Sequence, residues 1–211
     1  MTPLPTQDLR GNLATWAVPT AQLPAVARAL LDALPPEPFD PGFRGQAIAT
    51  TYFDTSGFAL RKARRKGKRY LTLRVRCYPD EVYALSAKTE DRKFRLPLDP
   101  GLAEDLLDGN TVNSRLADLL PGDLLARLQD LAGREPLRPV VTVRATRYAC
   151  EDDADRLTLD CGVATDTGKC LPTCVLEFKS TLAGRAPPPS LAALGLRPIK
   201  LSKFLWSTLW R

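Results

Sequence analysis

From residue 71 to residue 78, apolar and polar side chains alternate with period two. Leu71, Leu73, Val75 and Cys77 fall on one face, and Thr72, Arg74, Arg76 and Tyr78 on the other. This predicts a strand with one face in a core. Pro79-Asp80-Glu81 reads as a turn, and Val82–Lys88 returns as a second strand with Ala84, Ser86 and Lys88 on one side. The hairpin over 71–88 thus carries cations on one face of both its strands. Further strands are predicted over 13–18, 46–53, 140–148, 156–161 and 173–180. In the last of these Val175, Glu177 and Lys179 oppose Leu176 and Phe178. Helices are predicted over 19–34, over 111–131 around a Pro121-Gly122 break, and over the apolar segment 201–210, with a helical turn at 190–194. Pro24 fits the first helix only if that helix begins near Leu23, where a missing N–H costs nothing. No internal repeat or domain boundary interrupts the pattern. It predicts a single mainly β domain over 1–211, antiparallel, with flanking helices (α+β).

Composition narrows the chemistry. The 211 residues are 44% hydrophobic and 26% charged, enough to bury a core. There is no histidine, which excludes serine–histidine, cysteine–histidine and histidine–zinc sites. Five cysteines, an odd number, argue against a disulfide framework and for a reducing, cytoplasmic setting. Cys161, Cys170 and Cys174 supply one close pair where structural zinc usually wants two, so free thiols are expected. No apolar run is long enough for a transmembrane segment, and the start, with Asp8 and Arg10, does not read as a secretory leader.

The net charge of +6 is unevenly spread. Residues 51–95 hold 13 basic against 5 acidic groups, residues 96–160 hold 7 against 13, and residues 161–211 hold 7 against 2. The dense run from Arg61 to Arg69 fits a nucleic-acid patch, the mouth of an anion-binding cavity or a solvated hairpin tip. It holds no aromatic residue for base stacking, which weakens the first reading. The basic strands say more. If the sheet closes into a barrel, Arg74, Arg76, Lys88 and Lys179 face its lumen. Buried cations need water or a polyanion to compensate them, and arginine forks match phosphate oxygens. A lone inward carboxylate there would be a candidate metal ligand.

Several segments together resemble one family. Tyr52-Phe53-Asp54-Thr55, Leu73-Arg74-Val75-Arg76-Cys77-Tyr78, Lys88, Arg147-Tyr148, Arg156-Leu157-Thr158-Leu159-Asp160, Val175-Leu176-Glu177-Phe178-Lys179 and Ser202-Lys203-Phe204 occur in a familiar order. From about residue 12 to 206 the chain is similar to the polyphosphate polymerase domain of the vacuolar transporter chaperone family, within the triphosphate tunnel (CYTH-like) metalloenzymes. The resemblance implies a closed eight-stranded antiparallel β-barrel, open at both ends. It implies ATP, triphosphate or polyphosphate as the bound partner, nucleic acid being disfavoured, and phosphoryl transfer assisted by Mn2+ or Mg2+. Position by position it assigns phosphate contacts to Arg74, Arg76, Lys88, Arg147 and Lys203, with Arg144 and Lys179 as further candidates. Arg147 and Lys203 are the expected catalytic residues, and Glu177, aided by Asp160, the expected metal ligand.

The departures are specific. A glutamate and a lysine expected in the first strand fall on Leu13 and Thr15, and a glutamate expected two before Lys88 falls on Ser86. Any metal should therefore be weakly bound. Strict alternation also puts Arg144 and Arg147 on opposite faces, which only a bulge near Ala145 could reconcile. Three functions stay open: a phosphoryl-transfer enzyme, a catalytically degenerate polyanion-binding module, and a nucleic-acid-binding or other basic barrel.

Overall fold

The computed structural model describes residues 14–67, 69–109 and 112–209. Leu13, Lys68, Thr111 and Trp210 lie outside them. In chain order come β1 (Ala14–Val18), α1 (Leu23–Ala33), β2 (Gln46–Asp54), α2 (Ala59–Lys66), β3 (Thr72–Tyr78), β4 (Val82–Lys88), β5 (Lys93–Leu98) and α3 (Pro100–Asp108). Then follow α4 (Val112–Leu119), α5 (Gly122–Ala132), β6 (Arg138–Glu151), β7 (Asp155–Thr165), β8 (Cys174–Ser180), α6 (Pro189–Ala192), β9 (Arg197–Pro198) and α7 (Lys203–Thr208).

The strands form one nine-stranded sheet in the order β5-β4-β3-β2-β6-β7-β8-β1-β9, antiparallel at every junction. The expected closed eight-stranded barrel is therefore corrected to an open sheet. The chemistry of the two edges accounts for this. Pro97 removes a donor from β5, while β9 is two residues long and includes Pro198. The sheet nonetheless curls until side chains of β5 and β8 line one cavity, as expected of a large twisted sheet.

Helices cover the apolar outer face in two clusters. Leu73, Val75 and Leu85 of the hairpin are buried with Leu60, Leu106, Leu116 and Leu124 of α2 to α5. On the other half Leu157, Leu176 and Phe178 pack with Val26 and Leu30 of α1 and Leu191 of α6. Each fully buried side chain of this size contributes about 1.5–3 kcal/mol, which fixes the strand register and leaves the opposite, polar face inward. Pro24 does stand in the first turn of α1, which begins at Leu23. α4 and α5 are separated at the Pro121-Gly122 break.

Candidate functional site: a cationic cavity

The ladder register alone lines up one polar face. Arg74 lies opposite Tyr52 and Ser86, Arg76 opposite Thr50 and Ala84, and Thr72 opposite Lys88. Beyond β4, Ser86 pairs with Arg95 and Lys88 with Lys93. On the far side Arg147 faces Asp160, and Thr158 faces Glu177. These side chains surround a cavity of about 550 Å³, in the usual range for a small-molecule site. Eleven arginines and lysines line it against three carboxylates. Arg74, Arg76, Lys88, Arg147, Glu177, Lys179 and Lys203 are all brought together here.

Two carboxylates anchor one wall. Arg147 donates from Nε to Asp160 Oδ1 and from Nη2 to Oδ2, both at 2.7 Å. Lys203 Nζ stands 2.6 Å from Asp160 Oδ2 and 3.0 Å from Glu177 Oε1. Lys179 Nζ takes Glu177 Oε2 at 3.0 Å. Burial works to raise the Asp160 carboxyl, but Arg147 and Lys203 hold it far below its ordinary value. Glu177 is likewise held well below its own by Lys179, Lys203 and Arg147 against burial. Thr158 Oγ1, opposite Glu177 in the ladder, is buried without a hydrogen-bond partner among the described residues. It is a free donor at the cavity wall.

The opposite wall carries charge without counter-charge. Among the described residues no carboxylate pairs with Arg74, Arg76, Lys88, Lys93 or Arg95. Arg76 Nε donates to Thr50 Oγ1 at 3.0 Å, and Arg95 donates to the Tyr78 hydroxyl. Burial and then the neighbouring Arg74 and Arg147 pull Arg76 down to about 10. Lys93 is lowered by burial and then by Arg74 and Lys179, although the lumen leaves its side chain open to water. Burial would raise the Tyr78 phenol, but Arg76, Arg95 and Arg147 bring it to about 8. Burial is the larger cause for Arg76 and Lys93, but Tyr78 is lowered against burial, which reports an excess of positive potential in one place.

Lys93 and Arg95 fall outside the sequence-predicted set. Lys93-Phe94-Arg95-Leu96 alternates as plainly as 71–78, yet Pro97 in the run argues against a strand and is tolerated only because β5 is an edge. Arg156 also lines the cavity, held by Glu37 at 2.7 Å and Glu151 at 2.8 Å. Arg144 does the reverse: it is exposed, on the face of β6 away from Arg147. A bulge does sit beside it, where the β6–β7 register shifts between Arg144 and Thr146 and Gly162 adopts a left-handed φ of 60°. That shift is confined to the β7 side. The β6 pairing with β2 runs unbroken from Arg147 to Val141, so alternation keeps Arg144 outside.

The basic run after residue 60 is helical rather than a loop. Asp54, fully buried, accepts from the backbone N–H of Thr55 and Leu60 with Oδ1 and of Arg61 with Oδ2, which satisfies the open end of α2. This anchors the helix so that Arg64 stacks 3.8 Å from the Tyr70 ring centre and reaches the cavity lining.

The residues do not compose a metal site. No group of three or more cysteine, aspartate or glutamate side chains converges among the described residues. All four oxygens of Asp160 and Glu177 already face a guanidinium or ammonium. Ser86, opposite Arg74, stands where an acid is expected, and Thr15, opposite Glu177 on β1, where a lysine is. Leu13, at the other expected acidic position, lies outside the described residues.

The model of the VTC domain matches residues 14–183. The chain belongs to the VTC domain family. The matched segment runs through β8, and α7, which follows it, brings Lys203 to the same cavity. In fold the VTC domain here is similar to a Hippeastrum protein described as an adenylyl cyclase with a dominant triphosphatase activity. That likeness has a TM-score of 0.55 at 17% identity, over 86% of this chain and 82% of that one. A candidate adenylate cyclase of Bacillus halodurans gives 0.52 at 17%, over 81% and 80%. One of Vibrio parahaemolyticus gives 0.51 at 14%, over 94% and 99%. The chain thus shares its fold with these three proteins. No curated protein matches the sequence. No helix among the described residues is long and apolar enough to cross a membrane.

Proposed function

We propose that the cavity binds a linear phosphate anhydride, inorganic polyphosphate or a nucleoside triphosphate such as ATP. One observation carries the reading: Arg74, Arg76, Lys88, Lys93 and Arg95 converge on one lumen without a paired carboxylate among the described residues. Such a cluster is stable only if solvent or a polyanion neutralises it. Guanidinium forks at alternate positions of β3, with Lys88 on β4 and Lys93 and Arg95 on β5 beside them, suit the repeated oxygens of a phosphate chain. Arg64, in the same lining, adds to the potential. The odd number of cysteines supports a reducing, cytoplasmic setting for such a protein.

Phosphoryl transfer is the second reading, favoured by the triphosphatase activity of the Hippeastrum protein of the same fold. In it Arg147 and Lys203 would position and neutralise the transferring group, since such reactions draw mostly on orientation and electrostatics. Calorimetric titration with tripolyphosphate, ATP, long-chain polyphosphate and an RNA of matched charge tests the first reading. Saturable phosphate binding that RNA does not reproduce is expected. No saturable binding, or equal binding of RNA, would remove it. Phosphate release from ATP or tripolyphosphate in the same preparations tests the second.

A further inference from the structure

We infer that this VTC domain grips its phosphate chain without a divalent ion, the Lys203 ammonium serving as the fixed cation between Asp160 and Glu177. The inference rests on the phosphate-binding reading and specifies how that site works. A resident Mn2+ or Mg2+ needs free oxygen ligands, and the wall offers two carboxylates. Both are spent. Arg147 covers both Asp160 oxygens at 2.7 Å, Lys179 takes Glu177 Oε2 at 3.0 Å, and Lys203 bridges the two residues at 2.6 and 3.0 Å.

Charge counting leads to the same place. Three cations face two carboxylates, so the cluster is already positive before any ion arrives. A divalent ion would have to displace Lys203 or stand beside it, and like charges that close repel strongly away from bulk water. Displacement is opposed by geometry, because Lys203 is held at the start of α7, where Ser202 caps the helix and Phe204 is buried against Tyr52. The ring centres of that pair are 5.2 Å apart. Neighbouring β-strand positions cannot restore the shell: the residues facing Glu177 across both ladders are Thr15 and Thr158. What a metal would do, bridging protein carboxylate and phosphate oxygen, Lys203 does by contacting both acids while lining the cavity.

The test is tripolyphosphate binding to the full chain by calorimetry, in EDTA and in excess Mn2+, with Mn2+ binding to the protein alone followed by electron paramagnetic resonance. The expected result is full affinity in EDTA, no tighter binding with Mn2+, and an unattenuated free Mn2+ signal. Glu177→Gln should bind tripolyphosphate in EDTA about two- to tenfold more tightly, since a negative charge leaves the anion's site. Affinity at least tenfold higher with Mn2+, and lost in Glu177→Gln, would overturn the inference while leaving the phosphate-binding reading intact. Attenuation of the Mn2+ signal by the protein alone would also overturn it. No binding in either condition would overturn both readings.

Discussion

Arg147 and Asp160 face each other across the β6–β7 ladder, joined by two parallel hydrogen bonds of 2.7 Å, with the arginine side chain 10% exposed and the aspartate 1%. The planar fork leaves neither oxygen of the acid unpaired, and Lys203 adds a third donor. A pair this deep contributes little net stability, because desolvation offsets most of its Coulomb attraction. Its role is geometric: it holds a guanidinium at the cavity wall.

Removing one partner is another matter. Asp160→Asn should leave Arg147 and Lys203 buried around a neutral amide and cost about 3–5 kcal/mol, the scale for breaking a buried ion pair. Urea denaturation of the two proteins measures this directly. A loss below about 1 kcal/mol would mean that water already screens the pair.

Acid should dismantle the same cluster. Asp160 and Glu177 are both held below their ordinary values against burial, the first chiefly by Arg147 and the second chiefly by Lys179. Both therefore stay ionised in the folded chain at a pH where the unfolded chain takes up protons, near about 4. Unfolding binds protons there, so this stability is whole above about pH 5 and drains as pH falls through 4 toward the native values. Urea midpoints measured from pH 7 to pH 3 should decline chiefly below 5, and the decline should be shallower in Asp160→Asn. Equal slopes in the two proteins would assign acid sensitivity elsewhere.

Period-two alternation made the hairpin legible, because Leu73 and Val75 must meet helices and their neighbours must then face the lumen. The same rule put Arg144 and Arg147 on opposite faces, as they are, while the resemblance picked out Arg147. What alternation could not show is closure. Whether a curled sheet joins its edges depends on pairings far apart in sequence, and here Pro97 and Pro198 stand at those edges. Nor could it show partners. Glu177 reads as an inward carboxylate from its strand alone, but Lys203, which claims one of its oxygens, arrives from 26 residues away. α2 was hidden for a different reason: its anchor, Asp54, precedes the helix by five residues and reads locally as a turn signal.

The uncompensated wall should govern affinity. Arg74→Ala and Arg76→Ala should each weaken tripolyphosphate binding by about 1–3 kcal/mol, the value of a charge-assisted contact. Arg144→Ala, which removes an equal charge from the outer face, should change it by less than about 0.5 kcal/mol. Affinity should also fall with added salt, since approach to the open mouth is screened. Calorimetry on the three variants separates site from net charge: equal losses in all three would show that only the overall charge matters.

Tyr78 gives the cavity a pH dependence of its own. Its phenol lies beside Arg76 and Arg95, and they, with Arg147, bring it to about 8 against the opposing effect of burial. A bound phosphate chain adds negative charge nearby and must raise that value, because it disfavours the phenolate. Binding then takes up a proton between about pH 8 and the higher value of the complex, so affinity is held below 8 and lost as pH rises through it. Lys93 acts in the same sense but lower down, since burial, Arg74 and Lys179 lower its ammonium and an anion would restore it. The two are separable. Tyr78→Phe should abolish the decline between pH 8 and 9 and keep any decline between pH 5 and 7, with its proton uptake at pH 8 reduced when heats are compared in two buffers of different ionisation enthalpy. The same alkaline decline in Tyr78→Phe as in the wild type would take the phenol out of the site's electrostatics.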